Sequence, residues 1–394
     1  MGPVRGFLWG AASAQIKRKG RLDMALLAAE RPVPGAAVYT TNLVKAAPIL
    51  LTMERLASGR CQAILANSGN ANACTGEKGL EDARALTADV SRLTGIPPEL
   101  VLPASTGVIG ARLPMQKMRR AIPELVSQLR PDGVEDFAEA IRTTDRWAKV
   151  ARARTRIGDG QVDILGVAKG AGMIGPHMAT TLCFVVTDAV ASSAELRRAL
   201  RAAAQETFNA IDVDGDASTN DIVVLLASGA AGTGPRAADR RSQIAFEKLV
   251  RGVLGKLARE IVRDGEGATK LVKLEVSGLD DDEDARTAAR AVARSMLVKT
   301  ALFGEDPNWG RILAAAGRCG VRFDPRDSEI AIGGIPIVRG GVGVGAGAER
   351  RAHKVMERAE FTIQIRLGTG PGRVTHHMCD LGNAYVKLNA DYRT

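Results

Sequence analysis

The sequence predicts an α/β (α+β) protein: a layered sandwich of mixed sheets covered by helices. Three observations support this. Strand-like and helix-like apolar patterns are intermixed along the whole chain. No period of 20–50 residues repeats and no heptad run is sustained, which excludes solenoids and coiled coils. The 394 residues are 45 % apolar and 25 % charged, an ordinary globular balance with enough chain for two or three domains.

The elements follow in order. Residues 37–41 and 62–66 read as strands. Residues 81–93 read as a helix, with Leu86, Val90 and Leu93 at helical spacing, and Pro97-Pro98 ends it. A short apolar strand, 100–102, leads into a Gly/Ser/Thr loop at 103–110. Helices are expected at 114–129 and around 137–141, then a strand at 161–167. A Gly-rich loop at 170–176 precedes an apolar strand at 182–188. Ser192-Ser193-Ala194-Glu195 is a capping box that opens a helix to about residue 208. Next come a strand at 222–226, a helix at 240–262, a strand at 271–276, helices at 282–298 and 309–318, and a C-terminal strand and helix.

Composition narrows the function classes. The chain carries 54 basic and 44 acidic residues, a net +10, mostly contributed by the first 179 residues. The basic clusters at 17–21, 112–120 and 152–156 read as solvated faces. Aromatics are only 4 %, too few for base-stacking platforms, and there is no nucleic-acid motif. Five cysteines lie far apart without C-x-x-C spacing, which points to a reducing compartment rather than disulfides or zinc. No H-E-x-x-H or other metal-ligand spacing occurs. No apolar run approaches the ~20 residues of a membrane span. Near the N-terminus there is one apolar turn, Phe7-Leu8-Trp9, and the chain then becomes basic at Lys17; a signal peptide would place its basic residues before a longer apolar core, so a cytoplasmic location is expected.

Two motifs are decoys. The glycines at 341, 343, 345 and 347 do not fit G-x-G-x-x-G, and read as a strand-to-helix turn. Asp212-Val213-Asp214-Gly215-Asp216 resembles half a calcium loop, but position 12 of that loop is Val223 rather than Glu. A structural turn or the polar wall of a site is the better reading.

The stretch that carries chemistry runs from Lys169 through Gly170-Ala171-Gly172-Met173-Ile174-Gly175-Pro176-His177-Met178 to Ala179-Thr180-Thr181-Leu182. A basic residue opens a loop built for close backbone approach, which then enters a buried strand through hydroxyl residues. Taken alone, this is also a glycine loop capped by hydroxyls. However, 169–180 resembles the K-G-x-G-M-I-x-P-x-M-A-T loop of the ornithine acetyltransferases (glutamate N-acetyltransferases) of arginine biosynthesis. The resemblance extends to Gly20-Arg21-Leu22-Asp23, residues 41–48, residues 67–76, residues 104–110 and Thr143-Thr144-Asp145. It continues through residues 213–221 (VDGDASTND), 266–270 (EGATK), 299–313 (KTALFGEDPNWGRIL) and the final 388–394. It therefore covers essentially the whole chain in the family's order. Arg146 stands where the family usually has Thr, His177 fills a variable slot, and residues 6–10 match only loosely.

The resemblance implies a chain that cuts itself between Ala179 and Thr180, giving an alpha chain 1–179 and a beta chain 180–394. The freed Thr180 would carry both the nucleophilic hydroxyl and its base, since an α-amine has a reference pKa of about 7.7–8.0. By the same resemblance, the Thr106 hydroxyl and the Gly107 N–H form the oxyanion hole. Thr143, Lys169, Glu266, Asn389 and Thr394 contact substrate together with Thr180. The set suits an amino acid: Lys169 can neutralise a carboxylate, Glu266 can hold the ornithine ammonium, and Asn389 and Thr394 offer neutral hydrogen bonds. The implied reaction moves acetyl from N2-acetyl-L-ornithine to L-glutamate with no metal or organic cofactor. The implied assembly is a heterotetramer of two alpha and two beta chains, without nucleic acid or membrane. No residue decides whether acetyl-CoA is a second donor. The alternative is a self-processing amidohydrolase or aminopeptidase of similar architecture, with water as acceptor.

Overall fold

The computed structural model describes residues 2–17, 20–175, 181–236 and 238–391, and the statements that follow concern these residues. The first part of the chain contains β1 (Phe7–Ala12), β2 (Met24–Tyr39), α1 (Ala47–Leu56), β3 (Arg60–Asn70), α2 (Gly76–Thr94) and β4 (Val101–Val108). Then come α3 (Met115–Ser127), α4 (Val134–Ala140), β5 (Lys149–Ile157) and β6 (Gly160–Lys169). The next stretch contains β7 (Leu182–Thr187), α5 (Ser193–Glu206), β8 (Ile211–Asp212), β9 (Ile222–Ala227), α6 (Arg240–Arg263) and β10 (Leu271–Gly278). After it lie α7 (Asp282–Ala293), α8 (Met296–Phe303), α9 (Trp309–Gly317), β11 (Glu329–Ile332), β12 (Ile335–Arg339) and β13 (Val342–Gly343). The last elements are α10 (Ala346–Met356), β14 (Glu360–Arg366), β15 (Gly370–Cys379) and α11 (Asn383–Asp391).

The larger sheet has the order β4-β3-β2-β9-β7-β6-β5, with β1 on β2. Strand β2 is shared by two halves: its first part pairs with β3 and residues 35–39 pair with β9. The register slips between Ala28 and Val33, beside Pro32 and Pro34, which cannot donate to a ladder. There the sheet turns back over itself. Leu27, Ile64 and Leu102 of one half share a core with Phe184, Val186 and Val224 of the other. Trp9, Phe137 of α4 and Phe184 meet edge to face within it, at 4.9 and 5.6 Å between ring centroids. The alternate side chains face outward, as strand periodicity requires. Met24, Leu26 and Leu65 pack under α2 and α3. Cys183, Val185 and Val223 pack under α5 and α6. The result is a helix–sheet–sheet–helix sandwich. A second sheet, β13-β12-β11-β14-β10-β15-β8, buries one face against the α7–α10 region around Val272, Ile363 and Val292.

Several elements differ from their sequence reading. Residues 103–108, expected as a loop, continue β4 and pair in parallel with β3. They look loop-like because this strand end lines a polar cavity and carries Ser105, Thr106 and Gly107. The basic cluster at 152–156 is edge strand β5, where charged side chains discourage pairing with another chain. The helix expected at 282–298 is two helices, because Ser295 caps α8 by accepting from the Val298 N–H at 3.4 Å. The expected C-terminal strand and helix are five strands, β11–β15, and two helices, α10 and α11. Among the described residues no helix is long and apolar enough to cross a membrane.

Candidate active site

Where β4, β6 and the turn after α6 converge, they enclose a cavity of about 210 Å³ lined by Thr106, Gly107, Thr143, Lys169, Glu266 and Asn389. These six residues, separated in sequence by up to 283 positions, are all among the site residues named from the sequence. Ala179, Thr180 and Thr394 lie outside the described residues.

Strand geometry aims the first pair. Gly107, next to the last residue of β4, has φ +131°, in the region that favours glycine, and a Cβ there would lie 2.3 Å from the Gly69 carbonyl carbon. Only glycine lets the β4 end press so closely on β3. Thr106 is buried, and its Oγ1 accepts a hydrogen bond from Lys169 Nζ at 3.2 Å. That leaves the hydroxyl hydrogen of Thr106 for an acceptor in the cavity. Burial lowers the Lys169 pKa, opposed by the nearby Asp145 carboxylate. Asn220 spans the gap between loops: its Nδ2 donates to Ala71 O at 2.7 Å and to Ser105 O at 2.8 Å.

The opposite wall is Glu266, only 9 % exposed. Its N–H donates to Ala171 O at 2.8 Å, and its Oε2 accepts from Asn389 Nδ2 of α11 at 2.9 Å. A Cβ on residue 172 would fall 2.4 Å from the Glu266 carboxyl, so Gly172 is what lets loop and carboxylate touch. Gly267, at φ +71°, similarly makes room for the backbone of Tyr385 on α11. The N–H of Thr143 is held by Asp145 Oδ2 at 3.0 Å.

Two further carboxyls grip the chain on either side of residues 176–180. Asp214 lines the cavity and accepts from the Met173 N–H at 2.6 Å and the Ile174 N–H at 2.8 Å. Burial pushes its pKa up to about 6 against those hydrogen bonds. Tyr385 Oη lies 3.3 Å from Asp214 Oδ2. Asp221, fully buried, accepts from the Thr181 N–H at 2.7 Å, and burial raises its pKa well above the usual carboxylate range.

The model of the ArgJ family matches residues 8–394. The chain belongs to the ArgJ family. It is 50 % identical over 392 residues to the arginine biosynthesis bifunctional protein ArgJ of Geobacter sulfurreducens, with 99 % of this chain and all of that one covered. It is 43 % identical over 396 residues to the protein of the same name from Thermotoga neapolitana, with 99 % of each covered. Among solved structures it resembles the arginine biosynthesis bifunctional protein ArgJ of Bacillus halodurans: TM-score 0.51 and 40 % identity, covering 53 % of this chain and 98 % of that one.

Asp145, Asp214, Asp221, Asn220 and Tyr385 were not singled out as site residues by the sequence reading. The first four sit inside the TTD and VDGDASTND stretches that carried the family resemblance. Tyr385 lies just before the final motif and gave no sign of its place. The polar-wall reading of residues 212–216 fits the position of Asp214 and Asp216 in the cavity lining.

Proposed function

We infer that the chain is an ornithine/glutamate N-acetyltransferase of arginine biosynthesis, moving acetyl from N2-acetyl-L-ornithine to L-glutamate through an ester on Thr180. The observation that carries the reading is the cavity itself. In a chain of the ArgJ family, it brings a hydroxyl and a turned glycine, a buried lysine and a buried glutamate together.

The Thr180 hydroxyl attacks the Ala179 carbonyl carbon, the peptide C–N bond breaks, and the Thr180 nitrogen is freed as an amine. Water cleaves the resulting ester, leaving a carboxylate on Ala179 and a free Thr180 hydroxyl. In transfer, the Thr180 amine takes the hydroxyl proton as the oxygen attacks the acetyl carbonyl. The Thr106 hydroxyl and the Gly107 N–H stabilise the oxyanion. The tetrahedral centre collapses, its C–N bond breaks, and the ornithine amine leaves with the proton. The glutamate amine then attacks the acetyl ester and restores Thr180. Lys169 meets the carboxylate of each amino acid and Glu266 meets the ornithine ammonium, while Thr143, Asn389 and Thr394 complete the pocket.

Chains 1–179 and 180–394 remain one body because β7 and β9 lie between β2 and β6. Separation would break two strand ladders and open the inner core. The part from Thr180 onward is just over half of the chain, close to the 53 % that the Bacillus halodurans crystal chain spans. Two such heterodimers form the heterotetramer. A cytoplasmic location fits five cysteines that are all free. Transfer is favoured over hydrolysis by the amino-acid pocket set, Lys169 with Glu266, because a glutamate acceptor brings a carboxylate for Lys169 and water does not. The test is intact mass spectrometry with an acetyl-transfer assay, using acetylornithine and acetyl-CoA in turn as donor. Failure to move acetyl from acetylornithine to glutamate refutes the reading, and the acetyl-CoA arm decides whether the enzyme has the second donor.

A further inference from the structure

Behind the cavity lies an ion cluster that the transfer chemistry does not use. Lys149, at the start of β5, has a side chain with no solvent exposure. Its Nζ lies 2.7 Å from Asp145 Oδ1 and 2.6 Å from Asp264 Oδ2, and both carboxylates are equally buried. Each aspartate stands two residues from a cavity residue, Asp145 from Thr143 and Asp264 from Glu266.

The contacts close into a ring. Asp145 Oδ1 also accepts the Gly170 N–H at 2.7 Å. The next carbonyl, Ala171 O, accepts the Glu266 N–H at 2.8 Å. From Glu266 the chain returns through Gly265 to Asp264, and so to Lys149. Arg146, the residue that departs from the family pattern, binds to the same carboxylate: its N–H and Nε reach Asp264 at 3.0 and 2.8 Å. Lys149 and Arg146 precede residue 179 and Asp264 follows it, so the pairs tie the two proposed chains together at the substrate pocket.

We propose that Lys149 is a positioning residue for substrate recognition: bridging Asp145 and Asp264, it sets the separation of Thr143 and Glu266 across the cavity. This rests on the functional reading above. Without the ammonium, Asp145 Oδ1 and Asp264 Oδ2 lose the cation they share, and Arg146 reaches Asp264 alone, so the two buried carboxylates repel. They move apart and carry Thr143 and Glu266 with them. A displacement of about 1 Å in a positioning group can cost 10²-fold.

The test uses the full-length enzyme with Lys149→Met and Asp264→Asn. The second keeps side-chain shape and the Lys149–Asp145 pair, and carries the test if the first does not fold. Three quantities are read: the Kd of ornithine by calorimetry, the KM and kcat for acetylornithine, and the rate of Thr180 acetylation by p-nitrophenyl acetate. That ester needs the nucleophile and oxyanion hole but not the amino-acid pocket. The expected result is an ornithine Kd weakened about 10- to 100-fold in Lys149→Met and less in Asp264→Asn. KM should rise in step, and ester acetylation should lose at least about fivefold less. Parallel losses in all three, or a folded Asp264→Asn with unchanged Kd, overturn the proposal. A wild type that neither binds ornithine nor transfers acetyl refutes the functional reading, and the clamp falls with it.

Discussion

Glu266→Gln should separate recognition of the two amino acids. The Glu266 carboxylate is almost fully buried, and its hydrogen-bond partner on α11 is the neutral Asn389 amide. Among the described residues no Lys or Arg nitrogen is within ion-pair distance of it. A desolvated carboxylate facing a cavity is completed by a cation, and acetylornithine supplies one, its δ-ammonium, where acetylglutamate has none. The amide retains shape and one acceptor but loses the charge. A hydrogen bond to a charged group contributes about 1.5–3 kcal/mol, and breaking one side of a desolvated charge pair costs 2 kcal/mol or more. At 1.4 kcal/mol per factor of ten, a loss of 2–3 kcal/mol lowers kcat/KM for acetylornithine roughly 30- to 150-fold. With acetylglutamate as donor no cation is lost, and kcat/KM should change by less than about threefold. The assay is acetyl transfer in both directions with purified wild type and variant. Equal losses in the two directions would place Glu266 against the amino-acid part shared by both substrates, and the argument from its buried carboxylate would fail.

Other outcomes follow from the same geometry. Fresh wild-type protein should run as two bands on a denaturing gel, one beginning Thr-Thr-Leu; Thr180→Ala should leave one uncut band and no transfer. Thr106→Ala should slow both cleavage and transfer by on the order of 10²–10³, the usual loss for one oxyanion donor, and rates within about threefold of wild type would remove that assignment. Burial holds the folded Asp214 pKa up at about 6 against the usual 3.8, so its proton stabilises the fold below the lower value. That stability is lost as pH rises through the higher one, and the two-unit shift corresponds to about 3 kcal/mol. The excess stability of wild type over Asp214→Asn in denaturant titrations should fall by about that amount between those pH limits, and a constant difference would contradict the burial argument.

The sequence made legible what local pattern controls. Buried strands such as 182–188 and 222–226 are short apolar runs, and the helix after Ser192 is announced by its capping box, which the structure forms through Glu195. The cavity residues were legible only through ordered motifs, because Thr143, Lys169 and Glu266 have no spacing that marks them as neighbours. Asp145, Lys149 and Asp264 show why the rest was not. Lys149 pairs with Asp145 nearby and with Asp264 across 115 positions, and each alone is an ordinary charged residue. Strand β2 was only partly legible, because two prolines and a register slip interrupt its alternation where the sheet turns over.

The placement of the VDGDASTND stretch links the cleavage chemistry to the fold. Residues 213–215 donate three backbone N–H groups to Ile174 O, while the Asp214 carboxylate takes the Met173 and Ile174 N–H groups in return. Seven residues later, Asp221 takes the Thr181 N–H, and Ile222 N donates to Thr181 O. The chain is therefore fixed on both sides of residues 176–180 by a single stretch of backbone, which continues into β9 beside β7. A calcium loop would turn these carboxylates toward an ion. Here Asp214 and Asp221 face N–H groups of their own chain, at Met173, Ile174 and Thr181, and burial raises the pKa of each. An N-terminal nucleophile requires this: the residue that becomes a chain end must be held by its neighbours, because after cleavage nothing on its amino side can hold it.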